Sequence, residues 1–170
     1  MFRVRGILFC LATALTVTQA SADIAVGRAS SGTVRDRVLE LVNHARARPR
    51  RCGHERFAAT TPLAPSSILT RAAREHALDM ARNDYFEHTG LDGSEPKERL
   101  ARFGYLSRLT GENIAYGPES AEEVVSGWLA SPGHCANIME PRFREMGIAY
   151  AVEPVRGAIY WVQDLAVPRR

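Results

Sequence analysis

Met146-Gly-Ile-Ala-Tyr-Ala-Val-Glu-Pro-Val-Arg-Gly-Ala-Ile-Tyr-Trp-Val-Gln-Asp-Leu-Ala-Val167 decides the fold class of this 170-residue chain. It holds two strand-like runs, Met146 to Val152 and Ala158 to Val167, rich in β-branched and aromatic residues. Between them, Glu153-Pro-Val-Arg-Gly157 carries the proline and glycine of a hairpin-type loop. Four segments before this pair read as helices. Helices followed by adjacent strands predict an α+β domain, an antiparallel sheet with helices packed on it. No repeat, coiled coil or low-complexity tract is visible.

Working upstream, Ser120-Ala-Glu-Glu123 resembles a capping box and opens a helix that turns Val124, Val125, Trp128 and Leu129 inward. That helix stops at Ser131, because Pro132 disfavours helical backbone before it and supplies no N–H. His134 is then expected on a short bend, from which it presents an imidazole to a cleft. Gly111-Glu-Asn-Ile-Ala-Tyr-Gly117 reads as an extended piece, with Glu112 as the acid in an inward-looking run. Pro96 suits the first turn of a short helix, with Ser94 as cap and Gly104 as stop. Tyr85 to Gly93 is a turn that directs His88 to the surface or a cleft, with Tyr85 and Phe86 against the core.

Ser66 or Ser67 caps a helix running to about Asn83, with Leu69, Ala72, Ala73, His76, Ala77 and Met80 on one face. His76 on that stripe reads as a core histidine hydrogen-bonded to a neighbouring element. Residues 50–65 look irregular, broken by Gly53, Pro62 and Pro65. The first helix is expected from Thr33, where Thr33-Val-Arg-Asp36 resembles a capping box, to Pro49. Residues 23–32 read as a flexible lead, and 33–167 as a single domain.

At the N-terminus, Arg3 and Arg5 precede an apolar run from Gly6 to Val17 and then Gln19-Ala-Ser-Ala22, the pattern of a signal peptide over residues 1–22. The run is too short to span a bilayer, so no transmembrane helix is expected in the mature protein. Export to the periplasm or the extracellular space follows. Removing Arg3 and Arg5 lowers the formal charge from +3 to +1, which gives no electrostatic case for nucleic acid.

Cleavage leaves Cys52 and Cys135, and in an oxidising compartment these are expected to form one disulfide. Two other readings stay open. Cys52, His54, His134 and Cys135 could assemble a zinc site, although their spacing matches no usual finger. Cys135 beside His134 could also be a thiolate nucleophile.

No compact catalytic motif is present. What remains is a dispersed trio of His88, Glu112 and His134, each on a turn or element end near glycine. Two imidazoles and a carboxylate can bind a divalent metal, zinc above all, with His88 and His134 as ligands. The same carboxylate can act as a base, so Glu112 is the candidate catalytic residue.

Five blocks occur in the order found in one family: His76-Ala-Leu-Asp-Met80, Tyr85-Phe-Glu-His-Thr-Gly90, Gly111-Glu-Asn-Ile-Ala115, Trp128-Leu-Ala-Ser-Pro-Gly-His134 and Tyr160-Trp-Val-Gln163. They resemble the CAP superfamily of cysteine-rich secretory, antigen 5 and pathogenesis-related 1 proteins (SCP domains), in its bacterial secreted branch. The resemblance implies an α-β-α sandwich and a cleft holding a His, Glu, Glu, His tetrad. By motif, His88, Glu112 and His134 match three of the four, and the second glutamate would fall near Ser131, where no acid stands. Asn113 and Asn137 are assigned structural hydrogen bonds. Lipid, peptide or cell-surface ligands are the partners the resemblance implies. The leading expectation is a secreted protein with a ligand-binding cleft; the alternatives are a metal-dependent hydrolase of peptide or cell-wall bonds, with Glu112 activating water, and a non-catalytic interaction module.

Overall fold

A computed structural model describes residues 26–169; the expected signal peptide, residues 1–22, lies outside the described residues. Helix α1 (Val26–Arg46) leads into a small hairpin of β1 (Arg50–Cys52) and β2 (Glu55–Phe57), then β3 (Ala64–Pro65) and helix α2 (Ser67–Asn83). Helix α3 (Pro96–Arg102), strand β4 (Ser107–Tyr116) and helices α4 (Ala121–Ala130) and α5 (Pro132–Met139) follow, and β5 (Glu145–Val152) and β6 (Ile159–Pro168) close the chain. The main sheet has the order β3-β5-β6-β4, antiparallel except for the short β3–β5 pair.

Strand alternation builds the layers, because successive side chains leave a strand on opposite faces. Ile148, Trp161 and Leu165 pack with Val38, Val42, Val124, Trp128 and Ile138 of α1, α4 and α5. Their neighbours Ala149, Tyr160 and Val162 pack with Ala73, Ala77 and Met80 of α2. The result is helix on sheet on helix. Gly147 allows the α2 layer to come this close, since a Cβ there would lie 2.2 Å from the backbone of Leu69 and Thr70.

Local signals explain most boundaries. Ser66 accepts the Leu69 N–H at the start of α2, and Ser120 accepts the Glu123 N–H at the start of α4. Four expectations are corrected. The backbone is already helical from Val26, so it is helical through most of the expected lead, and Thr33 lies inside α1 rather than at its cap. No proline interrupts that segment, and extending a helix from a docked turn costs little. Residues 50–65 contain the β1–β2 hairpin and β3. Glu95, not Ser94, caps α3, in a reciprocal capping box with Glu98. Pro132 ends α4 and also starts α5 at once, because its fixed φ suits a first helical turn; His134 therefore sits in a helix and not on a bend.

Two devices hold α5 in place. The Cys52–Cys135 disulfide ties it to the hairpin. Arg46, fully buried at the end of α1, donates from Nη1 to the carbonyls of Ile138 and Glu140 at 2.6 and 3.0 Å and from Nε to Thr61 at 2.9 Å. Burial lowers its pKa to about 10, and carbonyl oxygens compensate the desolvated guanidinium.

Candidate functional site

The site straddles β4, the edge strand of the sheet. Glu112 pairs across to Asp164 on β6 and shares its face with Ile114, on the α2 side; Asn113 takes the opposite face, toward α5. The outer edge is covered by side chains. Asn137 Nδ2 donates to the Glu112 carbonyl at 3.1 Å, and Trp128 Nε1 to the Ile114 carbonyl at 3.1 Å. An exposed edge would otherwise offer unpaired carbonyls to any passing strand.

From the α2 side, the Glu112 carboxylate collects three neighbours. Arg99 Nη2 donates to Oε2 at 2.6 Å, His88 Nδ1 donates to Oε1 at 2.8 Å, and His76 Nε2 stands 4.0 Å from Oε1. The carboxylate side chain is only 2% exposed, Arg99 9%, and His88 48%. His88 is thus the solvent-facing member. Its pKa is raised, first by the hydrogen bond to Glu112. Glu112 fixes Nδ1 as a donor, and among the described residues Nε2 of His88 has no protein partner.

His76 behaves as a core histidine, and its pKa is lowered by burial. It donates Nε2–H to the Glu87 carbonyl at 3.0 Å, which ties the segment carrying His88 back to α2. Its Nδ1 is buried without a partner.

His134 lies on α5, whose backbone is tied to β4. Asn113 Nδ2 donates to its carbonyl at 3.3 Å and to Gln163 Oε1 at 2.8 Å, while Asn137 Nδ2 donates to Asn113 Oδ1 at 2.9 Å. Asn113 and Asn137 therefore have the structural hydrogen-bonding roles assigned to them from the sequence. The His134 pKa is lowered, first by desolvation and then by the neighbouring charge of His88. The two imidazoles are pushed in opposite directions: His88 toward the cation, His134 toward the neutral ring.

Two members were not anticipated. Arg99 lies on α3, where it reads in sequence as one more arginine of an exposed face. Asp164 supplies a second carboxylate at Glu112, but from β6 and not from the neighbourhood of Ser131. It is 2% exposed, its Oδ1 has no hydrogen-bond partner, and burial with the adjacent Glu112 charge raises its pKa well above the usual carboxylate range. Both acids sit too deep to meet bulk water.

For a metal, the donor chemistry is sparse. Both Glu112 oxygens are engaged, and among the described residues no cluster of three or more His, Cys, Asp or Glu side chains is arranged to hold an ion. Two imidazoles remain, fewer than the three protein ligands usual at a catalytic zinc. Cys52 and Cys135 are bonded to each other, which removes both the thiolate and the Cys2His2 alternatives. A cavity of about 410 Å³ between α2 and α3 reaches two members of this cluster, His76 and Arg99, and is also lined by Leu91 and Phe103.

Comparison with known proteins agrees with this architecture. The chain is 35% identical over 103 residues to the uncharacterized protein YkwD of Bacillus subtilis, covering 61% of this chain and 38% of that protein. It is 33% identical over 73 residues to the uncharacterized membrane protein YlbC of the same organism, covering 43% of this chain and 21% of that one. The chain thus spans well under two thirds of either curated relative. Among solved structures, an extracellular SCP-domain protein of Bacillus anthracis superposes with a TM-score of 0.68 at 24% identity, covering 80% of this chain and 41% of that one. An outer surface protein of Borrelia burgdorferi gives 0.66 at 20% identity, covering 84% and 96%. NaASP2, whose crystal structure is described as with Zn2+, gives 0.57 at 18% identity, covering 79% and 80%. The sequence profile of the cysteine-rich secretory protein family matches residues 39–165, and the chain belongs to that family, CAP.

Proposed function

We propose that this is an exported binding protein whose ligand site is centred on His88 and His134, with Glu112 orienting His88 instead of activating water. One observation carries the reading: both oxygens of Glu112 already accept charged or polar N–H groups, from Arg99 and from His88, in a carboxylate that solvent barely touches. A general base needs a free lone pair within reach of the proton it takes. Glu112 keeps spare lone pairs, but a side chain only 2% exposed and held by Arg99 and His88 presents them to no bulk water, so the hydrolase reading loses its base.

Orientation is a role that suits the geometry. A carboxylate on one ring nitrogen of a histidine holds the tautomer and aims the other nitrogen outward. Ligand oxyanions, or a divalent ion, are the groups a pair of outward imidazoles can take. The Zn2+ described for NaASP2 supports including zinc, held weakly because the chain supplies two imidazoles and water would complete the set. When bound, such an ion would supply a Lewis-acidic position. Export is supported by the signal-peptide pattern of residues 1–22 and by the extracellular and outer-surface descriptions of the neighbours.

Calorimetric titration with zinc chloride tests the site. Wild type should bind weakly, and His88→Ala with His134→Ala should abolish binding; no binding by wild type, or equal binding by both proteins, contradicts the metal part. If Glu112→Gln eliminates a hydrolytic turnover that wild type displays, Glu112 is a base after all and the binding reading fails.

A further inference from the structure

Where β4 begins and β6 ends, three arginines surround an open cavity of about 570 Å³, lined by Arg108, Leu109, Arg142, Arg144, Val167 and Pro168. We propose that this cavity is a second binding site, for a phosphate-bearing ligand. The proposal is independent of the His88 site.

Each arginine is set by a different device. The β4–β6 register shifts between Ser107 and Leu109, which pair with Pro168 and Val167, so Arg108 is the extra residue of a bulge. A bulge leaves its residue outside the ladder and re-aims the side chain. Arg108 is exposed and, among the described residues, has no side-chain hydrogen bond or ion pair.

Arg144 has its Nη1 fixed by three carbonyls in its own turn, those of Pro141, Arg142 and Phe143, at 2.7, 2.9 and 2.9 Å. Its Nε and Nη2 remain available. Arg142 forks onto Glu140, Nε to Oε1 at 2.7 Å and Nη2 to Oε2 at 2.9 Å, which leaves its Nη1 free.

Charge and shape then select the ligand. Among the described residues no acidic side chain lines the cavity, and Glu140 offsets one of the three charges. Buried Arg46 adds to the positive field from beneath, close enough that the Arg144 charge helps to lower its pKa. A carboxylate has two oxygens and one charge, which a single guanidinium fork can saturate. Phosphate offers more oxygens and more charge, and so can engage several partly free forks together. Leu109, Val167 and Pro168 form an apolar shelf beside the arginines for the carbon part of the ligand. The volume falls in the range usual for small-molecule sites. A soluble phosphorylated molecule and a phospholipid headgroup share this chemistry.

The test uses two probes, inorganic pyrophosphate by calorimetry and sedimentation with phosphatidic acid vesicles, against phosphatidylcholine vesicles as blank, at about 0.15 M salt to suppress loose surface attraction. At least one probe should bind wild type, weaken about tenfold or more in Arg108→Ala, and weaken less in Arg108→Lys. Arg108 is exposed, so the variant should keep the wild-type melting temperature. Arg56→Ala, which removes an equal charge on the β1–β2 hairpin, should leave binding unchanged. Pyrophosphate binding identifies a soluble source, and vesicle binding alone identifies a headgroup. Failure of both probes overturns the proposal, as does binding that is indifferent to Arg108 or equally reduced by Arg56→Ala.

Discussion

Arg99 and Glu112 form a buried ion pair, Nη2 to Oε2 at 2.6 Å, between a short helix and the edge strand of the sheet. Its other guanidinium nitrogen, Nη1, donates to the Ser94 carbonyl at 2.7 Å, so the arginine also anchors the turn before α3. This contact decides the chemistry of the site, because it turns the one matched glutamate into a fixed acceptor.

Removing the arginine should therefore damage the fold before it damages any activity. Arg99→Met leaves a buried carboxylate with only His88 as partner, and breaking such a pair typically costs about 3–5 kcal/mol. Chemical denaturation should show a loss in that range. A loss under about 1 kcal/mol, the worth of a surface pair, would mean Glu112 is better solvated than the structure indicates.

Gly147 is irreplaceable for a different reason. A Cβ there meets helix backbone at 2.2 Å, and backbone cannot rotate away as a side-chain tip can. Gly147→Ala should cost about 3 kcal/mol or more by forcing α2 off the sheet, measured as a drop in the denaturation midpoint. A neutral outcome would contradict the packing of α2 on β5.

Asp164 gives a pH-dependent prediction. Its pKa is raised on folding from an ordinary 3.8, by burial first and by Glu112 second. A group raised in this way stabilises the fold below its unfolded pKa and loses that contribution as pH climbs. Asp164→Asn removes the ionisation, so its stability relative to wild type should improve between about pH 4 and about pH 7. Parallel unfolding curves at the two pH values check this; a variant that loses stability relative to wild type as pH rises contradicts it.

The disulfide closes a loop with a sequence separation of 83. In the chain-entropy treatment this constrains the unfolded chain by about 4 kcal/mol. Cys52→Ser with Cys135→Ser should lose roughly that amount in equilibrium unfolding, and mass spectrometry of the wild-type protein should find no free thiol at either position.

Much of the frame was legible because its signals are local. The apolar stripe of α2, the Ser120 cap of α4 and the two C-terminal strands each announce themselves within a dozen or so residues. Pro132 was ambiguous in principle: the same ring that ends one helix is well suited to start the next, and only the packing of Ile138 and Met139 shows that a helix follows. Arg99 and Asp164 were invisible for a harder reason. Each gains its role from Glu112, and the contact exists only because β6 lies between β5 and β4 and because α3 folds back over β4. His88 and His134 were singled out by the motifs around them. Their unequal electrostatics could not be read from sequence, since one ring meets a carboxylate and the other is desolvated beside a charge.

The central claim, that Glu112 holds His88 as an oriented donor, is tested most directly by following the imidazole resonances with pH by NMR. In wild type, His88 should titrate above its ordinary 6.5 and His134 below it. Because the His88 pKa is raised, its contribution to stability is fully present below 6.5 and fades as pH rises through the shifted value. In Glu112→Gln, His88 should fall back toward 6.5. A wild-type His88 that titrates at or below 6.5, or one that does not move when the carboxylate is replaced, would contradict the account.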